Sequence, residues 1–429
     1  MKRLSQKTKR LLQRLICLSS LLCIANANST TLPEVIQKVL NEHPDVRSSY
    51  ALLQASDAQL KQTYSNFLPI ADFTYRYSDS DDETAGRPTT REVRRLDGTA
   101  RWNVFNGLSD WYGMRSAQLS KGVAEANLAE AQDAVALRLT ELYVDILRLS
   151  ERVKTTKIHL LYREKLVNDV KKRAELGRIS KADEFQAIGR MIETEHDLSQ
   201  LQGQLAGLKD SFKEITGFRA THLEEPGIDL DIIKLPYQEL LNKAVAGNSR
   251  YRSALRQVDV QDAQVKVVTG DFFPDVDLEY RKRLTSDISP AEVTDTDQLF
   301  SLQVNYQIPL GGSMFTRRSE AVERKYAAMA TADSEILNVK TRLVELRQRL
   351  KKAHLIQPRL KEHTVLLSDV YHSYVLQFSA GKRSLLDLLI LLDERYRAET
   401  SLTDNHYQLY VDSAKIHREI GQLRLLGSK

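Results

Sequence analysis

Two stretches of the chain offer the same chemistry in the same order. Gly177-Arg178-Ile179-Ser180-Lys181-Ala182-Asp183 and Gly381-Lys382-Arg383-Ser384-Leu385-Leu386-Asp387 both read glycine, basic residue, any residue, serine, two residues, aspartate. Glycine accepts the left-handed conformation that ends a helix. Ser180 and Ser384 present hydroxyls to the unbonded N–H groups of a following helix, and Asp183 and Asp387 can return a carboxylate to the cap. The chemistry on offer is therefore helix capping plus a pair of carboxylates, one at the tip of each of two helical hairpins. No other segment concentrates reactive groups. A nucleophile elbow, zinc spacing, phosphate loop and paired acid and base are all missing, so neither an enzyme nor a bound cofactor or metal is expected. His354, His363 and His372 stand nine apart, which does not suit metal ligands on one helical face, and read as surface residues. No basic tract alternates with aromatics, which excludes nucleic acid as the expected partner. Net charge is +5, part of it from the N-terminal residues, so the bulk of the chain is close to balanced.

The two tips lie 204 residues apart, and the elements that must hold them repeat at the same interval. In the first half, spanning 28–217, a short amphipathic helix over 31–41 is closed by His43-Pro44, and a second helical stretch runs to about Asn66. Phe67-Leu68-Pro69 breaks it. Aromatic and polar residues then alternate, predicting strands over about 70–78 and 99–105 with a polar, exposed loop between them. Asn106-Gly107 turns the chain into a proline-free stretch of about 68 residues, on the order of 100 Å of helix. Its apolar positions Ala124, Leu128, Ala131, Val135, Leu139, Leu142, Ile146 and Leu149 step by three or four. The first tip and a return helix over 181–216 follow, then a linker over 218–234 that contains Pro226-Gly227.

The second half, 235–429, replays this order. Phe272-Phe273-Pro274 stands for Phe67-Leu68-Pro69, strands are expected over about 276–284 and 299–308, and Pro309-Leu310-Gly311-Gly312 takes the place of Asn106-Gly107. A second helix of about 67 residues, with Pro358 as a potential kink, reaches the second tip.

Residues 1–27 read as a secretory signal, with a basic start, an apolar run over 15–24 and Ala25-Asn26-Ala27 as cleavage site. Cys17 and Cys23 both lie within it, so the exported chain is expected to lack thiols and disulfides. Ser20-Leu21-Leu22 before Cys23 lacks the small residue that lipoprotein processing prefers.

Each half thus holds two strands of about the length that crosses a bilayer, with one aromatic and aliphatic face and one polar face. A small soluble sandwich with one wet face would show the same alternation. Four strands leave open edges, which a membrane does not tolerate and which four strands alone cannot close. Two chains would give a filled eight-stranded barrel; three give twelve strands and leave a pore. The expected fold is mainly α with membrane β: duplicated long-helix hairpins forming an α-helical barrel, plus four transmembrane strands per chain contributing to a trimeric 12-stranded β-barrel. Trp102 and Trp111 would mark its periplasmic membrane interface.

The order and duplication of these motifs, together with His43-Pro44-Asp45 after the first helix, resemble the TolC-like outer-membrane efflux and secretion proteins over nearly the whole mature chain. The resemblance implies a homotrimer in outer-membrane lipid of a Gram-negative bacterium, with a helical tunnel across the periplasm. Its implied partners are a periplasmic adaptor (membrane fusion) protein and an inner-membrane transporter. Type I protein secretion is the expected task. Small-molecule or multidrug efflux is the alternative, and a periplasmic coiled-coil adaptor or structural protein is the rival of a different class. The resemblance also implies a periplasmic gate. Asp387 matches an aspartate whose three copies ring the aperture. Arg383 and Phe378 match an arginine and a tyrosine that hold the gate shut, and Asp183 matches their acidic partner. Two departures matter: Phe378 lacks the tyrosine hydroxyl, so that lock is missing or rebuilt, and Ile390 replaces a second ring aspartate. The capping role alone would also account for Asp183 and Asp387 in any helical hairpin.

Overall fold

Proline and glycine cut this chain into a few very long pieces, and the pieces pack side by side. The computed structural model describes residues 31–84, 87–287 and 298–428, so the expected signal segment and its cysteines lie outside the described residues. In chain order the elements are α1 (Leu32–Glu42), α2 (Pro44–Thr63), β1 (Ile70–Thr84), β2 (Arg87–Asn106), α3 (Ser109–Glu175), α4 (Lys181–Thr216), α5 (Tyr237–Gly247), α6 (Ser249–Gly270), β3 (Asp275–Asp287), β4 (Gln298–Asn305), α7 (Ser313–Ser379) and α8 (Leu385–Glu419).

Helices α3 and α7 are 67 residues each, about 100 Å long. Helix α7 runs through Pro358 as one element. Near the sheet, α2 packs on α3, α3 on α6, and α6 on α7. Toward the tips the neighbours change: α4 packs on α3, α3 on α8, and α8 on α7. The exchange happens where α8 ends against the start of α6. There Asn248 caps α6 by accepting the Tyr251 N–H at 3.0 Å, while its amide donates to the Glu419 carboxylate and carbonyl at 2.9 and 3.2 Å. His43 plays the same part for α2, its Nδ1 accepting the Asp45 N–H at 3.2 Å.

The larger clusters of buried apolar groups sit at two levels. Around the exchange level, Ile36, Leu139, Tyr143 and Phe212 form one cluster and Leu240, Leu343, Leu350 and Ile416 another. At the tips, Leu166, Val170, Leu388 and Leu392 join Phe378 in a third. This placement follows from the geometry: a single layer of helices buries only the seams between them, so the core is a set of narrow stripes.

The four strands form one antiparallel sheet in the order β1-β2-β3-β4, so β2 of the first half pairs with β3 of the second. Phe73, Tyr75, Leu96, Ala100, Trp102, Leu278, Tyr280, Phe300, Leu302 and Val304 share one face. The other carries Asp72, Thr99, Arg101, Asn103, Asp277, Glu279, Ser301 and Gln303. Glu279 lies 3.5 Å from Arg101 and 2.7 Å from Arg281, and Asn103 bonds Asp277 at 3.0 Å.

Two expectations about the strands need correction. Over 78–84 and 87–98 the chain is strand, not loop: the β1–β2 ladder continues to the pair Thr84↔Arg87. Backbone pairing sustains a strand where no apolar alternation announces it. Strand β4 stops at Asn305, short of 308, because its partner β3 begins at Asp275, just after Pro274, whose ring nitrogen has no proton to donate. The polar stretch expected between β3 and β4 falls mostly on 288–297, outside the described residues. Among the described residues no helix is long and apolar enough to cross a membrane.

Candidate functional site at the hairpin tips

Both tips are built as local sequence dictates. Gly177 and Gly381 adopt φ of +70° and +71°, which ends α3 and α7 in left-handed turns. Ser180 and Ser384 then accept the N–H of Asp183 and Asp387 at 3.1 and 3.2 Å. The two acids part company at this point. Asp387 completes the capping box by accepting the Ser384 N–H at 3.4 Å, whereas Asp183 accepts the Ser180 hydroxyl at 2.8 Å instead.

The structure brings Arg383, just before the cap of α8, and Asp387, in its first turn, to 3.8 Å, with the Asp387 side chain 42 % exposed. Ile390, one turn further, is also exposed. The Arg383 guanidinium lies over the Tyr374 ring of its own hairpin, 3.9 Å from the ring centroid. No ion pair joins Asp183 to Arg383 among the described residues. Phe378 is buried in the tip cluster, and the guanidinium of Arg173, from the last turn of α3, sits 4.8 Å from its ring centroid.

Above the tips the two hairpins, α3–α4 and α7–α8, meet along a seam of polar pairs between α3 and α8. Arg148 reaches Asp404 at 3.4 Å, Thr156 bonds the Tyr396 hydroxyl at 2.9 Å, His159 Nε2 bonds Glu399 at 2.8 Å, and Arg163 pairs with Asp393. Arg395 ties Glu399 at 2.8 Å and stacks between Tyr162 and Tyr371. His159 is 1 % exposed. Burial pushes the Glu399 carboxyl up, but its bonds to His159 and Arg395 outweigh burial and leave it below its ordinary 4.5. A depressed carboxyl contributes stability that is present above its ordinary value and lost as pH falls through the folded-state value. The melting temperature of Glu399→Gln should therefore lie below wild type at neutral pH, and the gap should close as pH falls below the ordinary carboxyl value of 4.5. A gap that stays constant across that range would remove Glu399 from the seam's electrostatics.

Sequence reasoning missed this seam, although a signal was present. Leu149, Val153, Thr156, His159, Arg163, Leu166, Val170 and Arg173 continue a single three-and-four stripe. Polar residues at stripe positions mark where one hairpin faces the other. A duplicated ion triad also went unread. Asp57 holds Lys61 and Lys121 at 2.7 and 2.6 Å, and Asp262 holds Lys266 and Lys325 at 2.9 and 2.7 Å in the equivalent places. The hydrogen bond from Lys121, reinforced by Lys61, draws Asp57 down to about 2. His354, His363 and His372 are all exposed on α7, as surface residues should be.

No protein-family model matches the chain, and no curated protein matches it by sequence. Its fold is nevertheless that of solved channels. The outer membrane protein VceC from Vibrio cholerae superposes with a TM-score of 0.80 at 16 % identity, covering 91 % of this chain and 96 % of that one. CusC, described in terms of folding and transmembrane channel formation, gives 0.81 at 15 %, covering 92 % of each. The open state of the Neisseria gonorrhoeae MtrE outer membrane channel gives 0.75 at 15 %, covering 91 % of this chain and 89 % of that one. The chain has the TolC-like fold, long helices joined to a small antiparallel sheet.

Proposed function

We propose that this chain, with its TolC-like fold, is the subunit of an outer-membrane export tunnel and not an enzyme. The observation that carries the reading is the sheet: four strands, apolar on one face and polar on the other, with β1 and β4 as open edges. Three copies close those edges into twelve strands around a wet lumen, with lipid outside. The helices prolong the lumen across the periplasm. Trp102 and Trp111, both exposed where β2 passes into α3, sit at the periplasmic lipid interface in this arrangement. In the same reading the tips are the closed periplasmic aperture, Asp387 lines it in three copies, and Phe378, Arg383 and Asp183 belong to its wall. An adaptor and an inner-membrane transporter engage the tips and open them.

The cargo class we assign is protein, through type I secretion, supported by the lack of a small residue ahead of Cys23, which argues against a lipidated drug-pump component. Small-molecule efflux would use the same tunnel. A deletion strain separates the two. Loss of an exported polypeptide from the medium, with drug sensitivity unchanged, is the expected result. Hypersensitivity to drugs and dyes with an unaltered secretome would assign efflux instead. Recovery of the chain in the soluble periplasmic fraction would overturn both and favour a coiled-coil adaptor.

A further inference from the structure

The two hairpins of a protomer must part if the tips are to open, so whatever ties them at their ends sets the closed state. The resemblance places that tie in Asp183, Phe378 and Arg383. The geometry places it elsewhere. Arg383 is engaged with Tyr374 and Asp387 of its own hairpin, and Asp183 with Ser180 of its own cap. The side chain that crosses is Arg173. From the last turn of α3 it donates to the Phe378 carbonyl at 3.2 Å and the Ser379 carbonyl at 3.4 Å, and its guanidinium lies over the Phe378 ring.

Three physical effects coincide there. Carbonyls at a helix C-terminus lack the i+4 donors of the helix interior; the Phe378 carbonyl accepts the Gly381 N–H at 3.0 Å, and Arg173 adds a side-chain donor to it and another to the Ser379 carbonyl. A cation at a helix C-terminus also opposes the negative end of the helix dipole. The planar guanidinium stacks on an aromatic face that is almost fully removed from water, at 5 % exposure, where the attraction is at its strongest. Phenylalanine is a better platform for this than for the hydroxyl bond it cannot make.

We propose that Arg173 is the latch of the gate: a cap supplied by the outer hairpin that closes the C-terminus of α7 and clamps the Phe378 ring. The proposal rests on the channel reading above and assigns the lock, which Phe378 would otherwise lack, to a residue on α3. Swinging the α7–α8 hairpin away must break both carbonyl bonds and the stack together. The Phe378 ring is the part that fixes direction, because backbone carbonyls alone would accept any donor.

The test uses the full-length protein in detergent, with two readouts. Hydrogen exchange of the amides over 376–384 reports the inner tip without any channel assay. Single-channel conductance reports the aperture. Arg173→Ala should speed exchange at those amides about tenfold, the factor equivalent to roughly 1.4 kcal/mol, and raise the closed-state conductance several-fold. Arg173→Lys, which keeps a donor and the charge but loses the flat stack, should fall between the two. Phe378→Leu should make the Arg173→Ala effect smaller, since the two contacts share one ring. An unchanged melting temperature and subunit count would separate loss of the latch from loss of the fold. If exchange over 376–384 is unaltered in Arg173→Ala, or if Arg383→Ser moves it more than Arg173→Ala does, the latch is not Arg173. Faster exchange in a wild-type background that conducts no ions would uphold the latch and overturn the channel reading instead.

Discussion

Gly247→Val is expected to prevent the subunit from reaching its folded state. At this point the end of α5 crosses the end of α8 with nothing between the two backbones. A Cβ on Gly247 would stand 2.9 Å from the Ile420 carbonyl carbon and closer still to its oxygen. The reverse substitution meets the same obstacle, since a Cβ on Gly421 would stand 2.8 Å from the Gly247 carbonyl carbon, on a residue already at φ +69°. Neither neighbour is the tip of a flexible side chain, so the backbones themselves must separate. Separation would pull on several contacts at once. Ile420 is packed with Leu240, Ala244 and Ile416, Asn248 joins Glu419 to the start of α6, and Arg424 pairs with the buried Asp133. Overpacking of ordinary cores costs about 1–3 kcal/mol, and a clash on two carbonyls belongs at or above the top of that range. The comparison is Gly189→Ala in α4, where an added methyl meets nothing within 4 Å. Alanine there should be neutral or stabilising by up to about 1 kcal/mol, because glycine is the poorer helix former. Thermal unfolding of the two variants side by side decides the matter. Equal melting temperatures would mean that the two backbones do not cross at this level.

The second large effect is expected at the proposed aperture. If three copies form the proposed channel, Asp387→Asn should abolish most of its cation preference while leaving the fold intact. The carboxylate is exposed enough to face a lumen, and it pairs with Arg383, just before the cap of the same helix, at 3.8 Å. In the proposed trimer, three such groups around one axis would form a ring of negative potential of the kind that selects cations. Ile390 places an apolar side chain one turn above, so this chain has no second carboxylate there to compensate. Asparagine keeps a side-chain oxygen that can accept the Ser384 N–H, which isolates the charge from the cap. Reversal potentials in a salt gradient should move toward those of an unselective pore. Ile390→Asp should move them the other way. Unchanged selectivity in Asp387→Asn would leave the residue with its capping role alone.

Much of this architecture was legible because it is specified locally. A glycine, a serine three residues on and an aspartate after that define a helix end and a helix start without reference to anything distant, and both tips fold accordingly. The duplication was legible for the same reason. The loop expected over 78–98 gives way to strand over 78–84 and 87–98, because charged and turn-forming residues do not prevent backbone pairing. That ladder is held by backbone bonds, which carry no side-chain signature. The neighbours of each helix were not legible at all. That α6 lies between α3 and α7, or that α8 takes its place below, depends on which stripes meet across more than a hundred residues of sequence. Arg173 illustrates the limit most clearly. In the sequence it is one of three consecutive cations, Lys171, Lys172 and Arg173; the stripe from Leu149 sets it apart from the other two, but only the end of α7 arriving beside it shows what it bonds.

The central claim is that three copies of this chain close one conduit. It is tested most directly by measuring the mass of the detergent-solubilised, cross-linked protein and, on the same sample, its single-channel conductance in a planar bilayer. A trimeric mass with a small, cation-selective conductance is the predicted result. A monomer that needs no detergent and conducts no ions would contradict the account, leaving β1 and β4 as edges to be covered in some other way.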